Sequence, residues 1–166
     1  MCKWLRSLLS PKRKAVTNFD KAFDVIVSAE GGYTSDPLDK GNWDSGVVGQ
    51  GNLKGTKYGI SAAAYPTIDI QALTLEQAKG IYKRDYWDVL QLDDAEYPFA
   101  LVSFDAAVNM GVNYAKGLIL SVTQDANFVV NFQAERALRY ASLSTFPRYG
   151  KGWMRRLVRI AMESQK

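Results

Sequence analysis

The sequence contains no histidine. That removes serine–histidine triads, cysteine–histidine pairs and the usual histidine-bearing zinc sites together. Cysteine is nearly as scarce: Cys2 stands alone among 166 residues, so no disulfide can close within the chain, which excludes a disulfide scaffold and points to a reducing compartment. Long apolar runs are missing too. The opening "MCKWLRSLLSPKRK" gathers Trp4, Leu5, Leu8 and Leu9, but the patch is too short to span a bilayer. Its charges follow the apolar residues and no small-residue cleavage site comes after, so a basic extension over residues 1–16 is expected, not a signal peptide. Chemistry in such a chain must rest on carboxylates, hydroxyls, lysine or arginine, with no metal or cofactor expected.

What charge there is lies unevenly. The net charge is +4, yet residues 1–14 carry +5, residues 151–166 carry +4, and the body between them carries −5. An acidic body argues against a nucleic-acid surface, while the basic termini suit weak contact with an anionic membrane or lipopolysaccharide. Within "KGWMRRLVRIAMES", Arg155, Arg156 and Arg159 are the candidates for that contact, opposite Trp153, Leu157, Ile160 and Ala161. The simpler alternative is a solvated helix whose Trp153 and Leu157 seal the core.

Residues 17–166 read as one mainly α-helical domain. Phe19, Phe23 and Ile26 recur at helical spacing, widened by Ala22 and Val27, with Thr17 or Asn18 able to cap the start and Gly31–Gly32 to stop the helix. Residues 31–56 then hold seven of the 13 glycines, the composition of an irregular lobe with short strands around Val47–Val48 and Lys57–Ile60. Thr74 and Gln77 form a capping-box pattern ahead of an apolar face made by Leu75, Ala78, Ile81, Tyr82, Tyr86 and Leu90. Phe99 to Val112 is apolar on nearly every side, as a central buried helix would be. Asp105 and Asn109 interrupt it on one face and need hydrogen-bond partners there; Asn109 is also a candidate for lining a binding cleft. "FVVNFQAERALRYASL" supplies a further amphipathic helix.

One acidic residue stands out by position. Glu30 continues the apolar seam of the first helix and falls at its end, so burial and the helix C-terminus both disfavour its charged form. A carboxylic acid that keeps its proton near neutrality can donate it to a departing sugar oxygen, and the glycines after it leave room for a substrate. A second carboxylate would come from Asp36, Asp39 or Asp44, with Thr56 able to hold a water. Tyr33, Tyr58, Tyr86 and Trp87 could stack on sugar rings or pack the core; adjacent Tyr86 and Trp87 point differently on a helix, so one can serve each purpose.

The motifs "EGGY", "DPLDKGNW", "LKGTKYGIS", "YWDVLQLD", "FDAAVNMG" and "FPRYGKGWMRRL" follow one another in an order that resembles the glycoside hydrolase family 108 muramidases, which include phage endolysins, over about residues 18–157. The resemblance implies a lysozyme-like helical domain that hydrolyses the β-1,4 bond between N-acetylmuramic acid and N-acetylglucosamine, with Glu30 as the acid. The segment from Glu30 to Thr56 also resembles the Glu, Asp, Thr arrangement of T4-type phage lysozymes, which brings forward Asp39 by its nine-residue offset, together with Thr56. "NWDSGVVGQGN" separates motifs that many family members join closely. The implied setting is a monomer held in the host bacterial cytoplasm until a pore-forming protein releases it to the periplasm or wall. The rivals are a lytic transglycosylase and a non-catalytic wall- or membrane-binding protein that uses its basic termini.

Overall fold

The computed structural model describes residues 15–27 and 32–166. Residues 1–14 of the expected extension, together with Glu30 and Gly31, lie outside the described residues.

Helix α1, Asn18–Val27, buries the stripe of Phe19, Ala22, Phe23, Ile26 and Val27. Its start is fixed reciprocally: Thr17 Oγ1 accepts from Asp20 N at 3.1 Å while Asp20 Oδ2 accepts from Thr17 N at 2.8 Å. Asp20 also pairs with Lys79 at 2.6 Å, and these partners hold its carboxyl well below the usual range. Lys79 belongs to α2, Leu75–Tyr82, whose start carries the full capping box, Thr74 with Gln77.

After Tyr82 the α-helical ladder gives way to a π-helical turn, Lys83–Trp87, and a 3₁₀ turn, Asp88–Leu90. A π turn inserts one extra residue per turn, so the core-facing position four residues beyond Tyr82 passes to the fifth. Trp87 therefore swings inward and is completely buried. It packs edge-on against Phe19 at 5.3 Å and Phe104 at 5.4 Å, and its Nε1 donates to Asp93 Oδ1 at 2.9 Å. Tyr86 is left half-buried beside Tyr82, at 5.5 Å between rings.

Phe104 sits on α3, Tyr97–Met110, in which every residue from Ala100 to Ala107 is buried. This is the expected central helix, and α1, α4 (Val112–Ser121), α5 (Phe128–Ala141) and α6 (Phe146–Glu163) pack around it. The polar break in its apolar surface is answered from two sides. Asp105, wholly buried, receives Arg136 Nη2 of α5 at 2.7 Å and Arg156 Nη2 of α6 at 2.8 Å. Arg136, equally buried, also donates to Gln133 Oε1, whose amide in turn donates to the Leu157 carbonyl at 3.0 Å. Asn109, further along α3, is exposed, and its Oδ1 accepts from the Tyr140 hydroxyl.

Two of the arginines of α6 have partners on neighbouring elements; Arg156 thereby departs from the expected basic outer face, while Arg159 stays exposed. Arg156 turns inward to Asp105, and Arg159 Nη1 donates to the Val25 carbonyl in the last turn of α1 at 2.7 Å. Both are drawn to negative ends that the core and α1 provide, and only Arg155 of the three has no such contact among the described residues. Leu157 and Ile160 are buried as the sealing face. Among the described residues no helix is long and apolar enough to cross a membrane.

Between α1 and α2 lies the irregular lobe. Strands β1, Thr56–Lys57, and β2, Ile60–Ser61, pair antiparallel with Thr56 opposite Ser61. The turn between them has positive φ at both Tyr58 (52°) and Gly59 (75°), the geometry of a tight hairpin turn. The expected strand at Val47–Val48 is not formed. Both valines are 46% exposed in a turn, and pairing occurs at its base, where Trp43 bridges Leu53.

Candidate active site

The lobe is organised around a side chain that its glycine-rich sequence gives no reason to single out. Asn42 is completely buried. Its backbone carbonyl accepts from Lys54 N and Gly55 N, both at 2.9 Å, its Nδ2 donates to the Asp36 carbonyl at 3.0 Å, and its Oδ1 accepts from Thr56 Oγ1 at 2.7 Å. One residue thus ties the turn after Asp36, the strand leading to Thr56 and the Thr56 hydroxyl together. An asparagine among glycines and aspartates reads as a turn former, and only burial distinguishes it.

Thr56 itself is half-buried at the start of β1. Its backbone forms a second, two-sided bridge with Thr34: Thr34 N donates to the Thr56 carbonyl at 2.9 Å and Thr56 N to the Thr34 carbonyl at 2.8 Å. Thr34 lies four residues after Glu30 in sequence, and Val27, buried at the end of α1, lies three before it. The segment that contains Glu30 is thereby anchored at one end to the helical body and at the other beside Thr56.

Gly55 makes that bridge possible. It has φ of +84°, and a Cβ there would lie 2.5 Å from the Thr34 carbonyl oxygen and 2.6 Å from Cε2 of Tyr33. The Tyr33 ring accordingly covers the Gly55 backbone while 40% of the residue stays exposed. It borders a surface depression of about 370 Å³ lined also by Leu53, Lys54, Asp69 and Gln71.

The three aspartates of the loop separate by what they hold. Asp44 Oδ1 accepts from Asn52 N at 2.8 Å and its Oδ2 from Asn52 Nδ2 at 3.0 Å, with Lys54 Nζ at 3.4 Å. These contacts hold its carboxyl below the usual carboxylate range, and the group closes the base of the 44–52 turn. Asp36 Oδ1 accepts from Leu38 N at 2.9 Å in a local turn. Asp39 is exposed and caps the short 3₁₀ turn Lys40–Asn42 by accepting from Gly41 N at 2.8 Å through Oδ1. Its Oδ2 has no hydrogen-bond partner among the described residues. Gly41 links Asp39 to the Thr56 hairpin: a Cβ on it would meet Asp39 Oδ1 at 3.2 Å and Ser61 Cβ at 3.8 Å, and Ser61 is the cross-strand partner of Thr56. Gly41 thus lies between the Asp39 carboxylate and the strand that pairs with Thr56.

The aromatic candidates divide. Tyr33 is open to solvent, as described. Tyr58 is half-buried in the hairpin turn, where its carbonyl accepts from the Tyr82 hydroxyl at 3.1 Å and Lys57 Nζ lies 5.5 Å from its ring centre. Trp87 is a correction: with no exposed surface it has no face to offer a sugar, because the π turn placed it in the core. Asn109 retains exposure but is engaged with Tyr140 on α5.

A carboxylate, Asp39, and a hydroxyl, Thr56, on a hydrogen-bonded lobe next in sequence to Glu30 are residue types that glycosidic bond hydrolysis uses. Comparison with known proteins points the same way. The family model described as Glycosyl hydrolase 108 matches residues 23–111, from the middle of α1 to the end of α3, a span that contains Glu30, Asp39, Asn42 and Thr56. The fold is similar to that in "Structure of Brucella abortus SagA", with a TM-score of 0.69 and 24% sequence identity over 89% of this chain and 93% of that one. No curated protein matches the chain.

Proposed function

From a chain that belongs to the glycosyl hydrolase 108 family, and is thus a glycoside hydrolase acting on peptidoglycan, we propose an N-acetylmuramidase that cleaves the β-1,4 bond between N-acetylmuramic acid and N-acetylglucosamine. Glu30 is the general acid: its proton passes to the glycosidic oxygen as the bond breaks. Asp39 is the second carboxylate and takes a proton from the attacking water, which Thr56 holds. The observation that carries this reading is the pair of hydrogen bonds between Thr34 and Thr56, which ties the chain just after Glu30 to the strand bearing the hydroxyl.

The proposal extends to a phage endolysin that stays in the host cytoplasm and reaches the wall through a separate pore, acting as a monomer. Weak contact with an anionic membrane or lipopolysaccharide falls to Arg155 and Arg159, both exposed, which border an apolar strip of Val158 and Met162 on α6; Arg156 is engaged with Asp105.

The test is digestion of purified peptidoglycan by the Glu30→Gln variant. Loss of muropeptide release with an unchanged melting temperature is the expected result, and a folded variant of near-normal activity refutes the assignment. Mass spectrometry of the wild-type products separates the chemistries: reducing ends follow from hydrolysis, 1,6-anhydro ends from a lytic transglycosylase.

A further inference from the structure

We infer that Asn42 is a positioning residue: it fixes the direction of the Thr56 hydroxyl hydrogen and, through it, the orientation of the attacking water. The inference rests on the reading of Thr56 as the residue that holds that water.

The Asp36 carbonyl beside Asn42 can only accept. Asn42 Nδ2 lies 3.0 Å from the Asp36 carbonyl oxygen, and turning the amide over would set oxygen against oxygen inside a buried site. The amide therefore has one orientation, with Oδ1 toward Thr56 at 2.7 Å. Oδ1 also can only accept, so the Thr56 hydroxyl must direct its hydrogen inward. What Thr56 offers on its open side is lone pairs alone.

That polarity matters for a nucleophile. A water beside Thr56 must donate to it, and with its other hydrogen donated to the Asp39 carboxylate, the water keeps a lone pair for the anomeric carbon. As that lone pair forms the new C–O bond, the electrons of the glycosidic bond leave with the departing oxygen, which takes the Glu30 proton. The proton lost by water goes to Asp39, so the step balances as hydrolysis. A freely rotating Thr56 hydroxyl would instead donate to the water part of the time and occupy the lone pair that must attack. The two side-chain bonds of Asn42 remove that freedom.

The experiment compares Asn42→Leu, Thr56→Val and the double variant in the full chain, acting on soluble uncrosslinked glycan strands of peptidoglycan. Each single variant is expected to lower kcat roughly ten- to hundredfold, the scale of a misplaced reacting group, with KM nearly unchanged. The double variant should be no slower than the worse single one, because both remove the same hydrogen bond. Added azide should restore turnover in both single variants and give a glycosyl azide, since azide attacks without an oriented hydrogen-bond partner; a purely structural defect would not respond to it. Additive losses, a loss confined to KM, or no azide product overturns the inference. Should Asn42→Leu fail to fold, Thr56→Val decides alone: it leaves Asn42 buried, and wild-type kcat in that variant overturns the inference. Normal kcat in both single variants alongside an inactive Glu30→Gln defeats this inference and leaves the muramidase reading standing. Normal activity of Glu30→Gln defeats the muramidase reading itself.

Discussion

The helical body and the lobe between α1 and α2 are held by different forces. In the body, α3 buries eight consecutive residues and the aromatic group of Phe19, Phe23, Tyr82, Trp87 and Phe104 closes around it. In the lobe, among the described residues, the regular pairing is a pair of two-residue strands; Ile60, Ala62 and Ile70 reach the core, but the buried polar side chain that ties the turns together is the amide of Asn42. Apolar burial is non-directional and tolerates many arrangements, whereas hydrogen bonds fix atoms relative to one another. The proposed chemistry sits on the lobe because its groups need set directions, with the segment around Glu30 anchored to the body through Val27 and to the lobe through the Thr34–Thr56 bridge.

Breaking the body where it is least like a hydrophobic core should cost most. Asp105→Ala leaves two guanidinium groups without their shared carboxylate, one of them wholly buried, and a loss of about 3–5 kcal/mol is expected in urea unfolding. A loss below about 1 kcal/mol would mean that the pair contributes nothing beyond a neutral polar contact. Activity at a temperature where this variant is folded should remain close to wild type.

A lobe substitution should reverse that balance. Gly55→Ala forces a side chain into a positive φ and against the Thr34 carbonyl and the Tyr33 ring, at about 1–3 kcal/mol. Muropeptide release should fall by more than the stability change explains, because the Thr34–Thr56 bridge itself is displaced. Equal activity of the variant and the wild type at matched folded fraction would show that the bridge does not govern the site.

Between the two regions lies the Tyr82 hydroxyl, a group on the body that donates to the Tyr58 carbonyl in the lobe. Tyr82→Phe is expected to lower stability by about 0.5–1.5 kcal/mol, with faster amide exchange confined to the hairpin. Uniform exchange across the whole protein would place the effect in the body instead.

The smallest effect concerns acid. Asp44 has its carboxyl lowered below the ordinary value, so its contribution is present above that value and is lost as pH falls through the folded one. Thermal scans between pH 5 and pH 2 should therefore show a shallower acid loss for Asp44→Asn than for wild type. Parallel curves would remove Asp44 as a determinant of the 44–52 turn.

Legibility followed the same division. The stripe of α1, the capping box of α2 and the apolar centre of α3 could be read from spacing, because each depends on periodicity along one element. Trp87 could not: a single π turn moves it by one position, and no composition signal announces that turn. The partners of Arg156 and Arg159, Asp105 and the Val25 carbonyl, could not be read either, because they lie far away in the chain. Asn42 escaped notice for a similar reason, since its importance comes from burial among four distant groups.

Local order along the chain was enough to give the helical class of the body, the place of the irregular lobe and the few residue types from which chemistry could be built. The absence of histidine, and the expectation that Glu30 falls at a helix end, follow from local order alone. Which candidates meet came only with the tertiary structure: it joined Thr56 to Thr34 and Asn42, engaged Asp44 in a turn, sent Trp87 into the core, turned Arg156 to Asp105 and gave the exposed Arg159 the Val25 carbonyl as a partner. Periodic burial is written residue by residue along a chain, but a directed hydrogen bond exists only once its two ends have been brought together.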